Sequence, residues 1–137
     1  MRGVPKGADR WDDVDCASQA FNLLTYSDDD ICNGGLHQFY TNSTGDFADR
    51  FPEWARRVGA PIKAAIIAET NLLFDGIDLR DRAPRNDRAD ELVELTDDYR
   101  TIRDPFNEPT RRYYDCDEQL DYLAVDYVDR HPDDFFI

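Results

Sequence analysis

The chain has 137 residues, 16 Lys and Arg against 30 Asp and Glu, a formal charge of −14 and 41% hydrophobic residues. This length fits one domain that closes its core without metal or disulfide, and the apolar content excludes wholesale disorder. The charge has the wrong sign for direct binding to nucleic acid or to anionic membranes, and the longest apolar run, residues 64–68, is far too short to span a bilayer.

Apolar spacing is helical almost throughout, and no stretch keeps a period of two. Val14, Ala17, Phe21 and Leu24 predict a first helix over residues 12–25, behind Asp12 and Asp13. Ser27 followed by Asp30 resembles a capping box and opens a second helix that runs to the turn cluster at residues 42–45. A third spans residues 47–58 and ends at Gly59, in the place a C′ glycine prefers. Pro61 starts a fourth at its first position, with Ile62, Ala65, Ile66, Glu69, Leu72 and Leu73 on one face before Gly76.

Residues 77–88 alternate Asp and Arg around Pro84 and read as a solvated loop; residues 87–99 form a further helix. Pro105 and Pro109 make residues 101–112 an extended connection. Leu120, Leu123, Ala124, Tyr127 and Val128 define a last helix from about Asp117, halted by Pro132, and the apolar tail Phe135, Phe136 and Ile137 is expected to pack back on the body. The fold class is therefore all-α, one compact domain of about six helices over residues 1–137. No apolar stretch follows the basic residues of segment 1–7, so no export signal is read. Cys16, Cys32 and Cys116 have no metal or disulfide spacing, and are expected as reduced, packed thiols in a cytoplasm.

Segment 33–46 is the most distinctive. Adjacent glycines inside a helical pattern cost about 1 kcal/mol each relative to Ala, so a compensation is required. Close approach of another backbone is the simplest, with Asn33 and Gln38 bonding across that contact. The alternative is a small amide-lined pocket that binds a ligand. The run Asn33-Gly34-Gly35-Leu36-His37-Gln38-Phe39-Tyr40-Thr41-Asn42-Ser43-Thr44-Gly45-Asp46 resembles the signature of the DNA mimic protein 19-like family. The likeness continues through Gly59-Ala60, Leu73-Phe74, Tyr127, Asp129, Phe135 and Phe136, and covers residues 26–137, with the first helix packing on that region. The resemblance implies an all-α fold and, from the member that gives the family its name, an acidic dimer that binds a transcription factor in place of DNA. The motif residues Asn33, Gly34, Gly35, Gln38, Phe39, Asn42, Gly45 and Asp46 are read as structural.

Half of the net charge sits in the last 23 residues, where Asp115, Asp117, Glu118, Asp121, Asp126, Asp129, Asp133 and Asp134 face a single base, Arg130. Asp117 and Asp121, four apart on a helix, stand about 6 Å apart along its axis, and such like-charge pairs cost about 0.2–0.5 kcal/mol each. Phosphates of one DNA strand recur about every 3.4 Å, so these carboxylates can present a comparable row to a basic groove. Acidic surfaces also arise for solubility alone, and the bias to Asp over Glu (24 to 6) and Arg over Lys (14 to 2) fits genome composition or a salty cytoplasm equally well.

Catalytic patterns are missing. His37 and Cys32 do not share a helical face, the two histidines and three cysteines have no zinc spacing, and Asp28, Asp29 and Asp30 lack the rest of a calcium loop. No phosphate loop or nucleophile elbow occurs. The expectation is a non-enzymatic interaction domain without metal or cofactor, whose acidic residues engage a basic protein such as a DNA-binding regulator. The alternatives are an immunity-type inhibitor of a basic toxin such as a nuclease, and a small-ligand-binding domain.

Overall fold

The computed structural model describes residues 17–95 and 102–135. The fold is all-α, with seven α-helices among the described residues: α1 (Ala17–Thr41), α2 (Phe51–Val58), α3 (Pro61–Asn71), α4 (Arg82–Leu92), α5 (Asn107–Asp115), α6 (Leu120–Arg130) and α7 (Pro132–Phe135). One two-residue antiparallel pairing, Glu94–Leu95 with Ile102–Arg103, follows α4.

Helix α1 replaces the two helices expected before residue 42. Its stripe Ala17, Ala20, Leu24 and Ile31 is buried without interruption, so nothing breaks it at Ser27. That residue is no N-cap: its hydroxyl donates to the Leu23 carbonyl one turn back, at 2.7 Å. The interruption comes eight residues later, at Gly35, whose φ of 84° lies in the left-handed region. Such a residue cannot continue the ladder, and α5 supplies the missing partners. The Leu36 N–H donates to Thr110 Oγ1 at 3.0 Å, and the Ile31 carbonyl accepts from Tyr114 Oη at 2.8 Å. A Cβ on Gly35 would also stand 3.3 Å from the Thr110 methyl, so both conformation and space favour glycine.

The turn cluster becomes a 3₁₀ turn, Ser43–Phe47, which delays α2 by four residues relative to the expected start. Gly59 ends α2 at φ 98° as expected, and Pro61 opens α3 at its first position. The buried face of α3 shares only Ile66 with the one read from its apolar residues. Lys63, Ala64, Ile66, Ile67 and Thr70 point inward, while Ile62 and Leu72 are 55% and 74% exposed. Ala60 and Ala64 are fully buried, as is Ala55 of α2, whose carbonyl accepts from the Ala60 N–H at 2.8 Å.

Three further expectations are corrected. The Asp/Arg segment is not a solvated loop, because α4 begins at Arg82 and buries Arg85. It also stops at Leu92 and gives way to the short pairing, and residues 96–99 of the expected helix lie outside the described residues. The connection expected at residues 101–112 contains most of α5, whose Pro109 sits in the first turn, where its missing N–H is not needed. Helix α6 buries Leu120, Ala124 and Tyr127, and after Pro132 the ring of Phe135 packs edge-on against Phe21 and Tyr127, each at 6.2 Å. Cys16, residues 12–16 of the expected first helix, Phe136 and Ile137 lie outside the described residues.

Candidate functional site

The inward spacing of Leu120, Ala124 and Tyr127 decides what α6 shows to solvent. On its other side Asp121, Tyr122, Val125, Asp126 and Asp129 are exposed, as are Asp115, Asp117 and Asp133 around it, and Asp134 is half-buried. Among the described residues Arg130 pairs with one of these charges, Asp126, at 3.0 Å on the same helix. The negative field extends onto α1: besides burial, the largest cause, the charges of Asp28, Asp29 and Asp121 push the Cys32 thiol up. Cys32 is exposed, contrary to the packed thiol expected, and Cys116 is half-buried.

Glu118 has a different task from its neighbours. Its carboxylate accepts from the Ile62 N–H at 2.9 Å and the Lys63 N–H at 2.7 Å, capping the N-terminus of α3, where Ala60 offers no side-chain acceptor. Glu118→Gln is therefore expected to cost about 1–2 kcal/mol of stability, as the loss of a charged cap does, while Asp117→Asn stays within about 0.5 kcal/mol. Urea unfolding of the two variants checks this.

The signature segment forms a second cluster, beneath the end of α1. Arg85 reaches in from α4, fully buried, and donates from Nε to the Tyr40 carbonyl (2.6 Å), from Nη2 to the Asn42 carbonyl (2.9 Å), and from Nη1 to the Leu79 carbonyl (2.7 Å) and Asp46 Oδ1 (2.8 Å). Arg82 grips the other oxygen of Asp46 at 2.5 Å. Burial alone would raise the Asp46 carboxyl, but the two guanidinium groups outweigh it and hold the carboxyl below its ordinary range. Gly45 makes this possible, since a Cβ there would sit 2.6 Å from the Phe39 carbonyl and 3.0 Å from the Arg85 guanidinium. The close backbone approach expected at Gly34 and Gly35 occurs at this third glycine.

The motif amides are used locally. Gln38 Nε2 donates to the Asp30 carbonyl at 3.5 Å, and its side chain fills the space a Gly34 Cβ would need, while Asn33 is exposed. Asn42 Nδ2 donates to Asp30 Oδ2 at 3.4 Å, and the Thr44 hydroxyl donates to the same oxygen.

A third cluster was not legible in the sequence. Asp28 Oδ1, buried, accepts from Lys63 Nζ at 3.1 Å and from Tyr113 Oη at 2.5 Å, and the ammonium lies 4.4 Å from the Tyr113 ring centroid. Burial first, then the Asp28 charge, pushes the Tyr113 hydroxyl far above its ordinary value, so it remains a neutral donor. The one available signal was Lys63 itself, one of two lysines in an arginine-rich chain, standing beside an apolar run.

No helix of the described residues is long and apolar enough to cross a membrane. Among known families, the one described as DMP19-like protein matches residues 12–131. Neither a curated protein nor a solved structure matches the chain.

Proposed function

The chain belongs to the DMP19-like protein family, and on that footing we propose that it is a non-enzymatic interaction domain that occupies the basic surface of a DNA-binding protein in place of DNA. The supporting observation is the division of α6: Leu120, Ala124 and Tyr127 are consumed by the core, while Asp121, Asp126 and Asp129 stay in water, with Arg130 paired to Asp126. A row of that kind attracts a cationic partner over about a Debye length, 8 Å at physiological salt, and speeds encounter more than it tightens the complex. Asp115, Asp117 and Asp133, before and after α6 in the chain, are exposed as well, as is Asp29 on α1, whose charge acts with that of Asp121 on Cys32. Glu118 is excluded, because its charge is spent on capping α3.

The test is competition with DNA for a basic regulator of the same cell, repeated from low to high salt. Displacement of DNA should weaken steeply as salt rises, and neutralising Asp117, Asp121, Asp126 and Asp129 together should weaken it about tenfold or more, at about 0.2–1 kcal/mol per exposed pair. Binding indifferent to both salt and these substitutions refutes the reading.

A further inference from the structure

Charge alone does not account for the exposed side of α6. Tyr122 and Val125 are 70% and 53% exposed, three residues apart on one helical face, and Asp121, Asp126 and Asp129 surround them. Val125 also borders an open groove of about 220 Å³ whose other walls include Phe21, Asn22, Val128 and Phe135. An aromatic and an aliphatic side chain left in water within a ring of carboxylates match the arrangement of an interface anchor, a desolvated centre inside a charged rim. Carboxylates in water discriminate poorly among cations, because exposed pairs contribute little and salt screens them. An apolar contact adds discrimination that salt does not remove.

We propose that Tyr122 and Val125 seat an apolar side chain of a basic amphipathic helix on the partner, so that the face selects a cationic helix with an apolar residue over a cation lacking one. This rests on the acidic face being the binding surface. Charge complementarity fixes the occupant's sign. A helix is the element that fits, because the segment of a DNA-binding protein that enters the major groove is most often a helix carrying Lys or Arg together with side chains for apolar base contacts.

The experiment uses the full chain and two synthetic helical peptides of about 20 residues with identical Lys and Arg content, one with Ala and one with Leu at two positions a helical turn apart. Affinities are measured by fluorescence anisotropy over a range of salt, for the native chain, Tyr122→Phe, and the double variant Tyr122→Ser/Val125→Ser, with thermal unfolding of each variant as a control on folding. The Leu peptide should bind the native chain and Tyr122→Phe about tenfold more tightly than the Ala peptide at every salt concentration. The double variant should erase that ratio and keep the salt dependence unchanged. Equal binding of the two peptides to the native chain, or a ratio that survives in the double variant, overturns the anchor while leaving the acidic reading intact. If neither peptide binds, the acidic reading fails and the anchor with it.

Discussion

Replacing Arg85 by Met is expected to lower folding stability by about 3–5 kcal/mol, the usual consequence of removing one member of a buried ionic network. The side chain has no solvent exposure and its guanidinium satisfies three carbonyls and one carboxylate, from Tyr40, Asn42, Leu79 and Asp46. Met fills much of the volume but satisfies none of these acceptors, so the loss is one of polar pairing rather than of packing. Arg85→Lys should recover only part of it, since one ammonium cannot reproduce the forked geometry that engages groups on four residues. Arg82→Gln is the contrasting control. Its guanidinium is over half exposed although it bonds the same aspartate, so it should cost far less than Arg85→Met. Urea unfolding followed by circular dichroism measures all three, and an Arg85→Met variant within about 1 kcal/mol of the native chain would contradict the assignment.

The second large effect concerns Asp28 and Lys63. Both side chains are over nine-tenths buried, and their oxygen and nitrogen lie 3.1 Å apart. Lys63→Met leaves the carboxylate with Tyr113 alone, and Asp28→Leu leaves an ammonium in an apolar setting; each should cost about 3–5 kcal/mol. The double replacement should be far less damaging than the sum, because the desolvation of both charges disappears together with their attraction. A double-mutant cycle in urea is the measurement, and a coupling of more than about 2 kcal/mol is the expected result. Additive losses would mean that the two groups do not act as a pair.

How far the sequence could be read depended on the range of the forces involved. The period of Leu120, Leu123, Ala124, Tyr127 and Val128 announced α6, and Gly59 and Pro61 marked the boundary of two helices through local backbone preference alone. The acidic carboxylates were equally plain from the chain. Arg85 was not, because an Asp/Arg alternation looks solvated until Asp46, 39 residues earlier, is known to lie beside it. The inward face of α3 failed for a related reason. Counting apolar residues favoured Ile62 and Leu72 along with Ile66, whereas the packing kept only Ile66 of these and added Ala64, Ile67 and a lysine whose carboxylate partner is 35 residues away.

The two halves of the acidic reading divide along the same line. By itself the sequence determined the all-α class, the family signature and the concentration of half the net charge in the last 23 residues, since each follows from local spacing or simple counting. Only the tertiary structure decided which of those charges are available. It assigned Glu118 to the start of α3, left Asp121, Asp126 and Asp129 in water, and placed Tyr122 and Val125 among them. The physical reason is that a carboxylate's availability depends on which backbone N–H groups and cations the fold brings within about 3 Å, and those partners are remote in the chain.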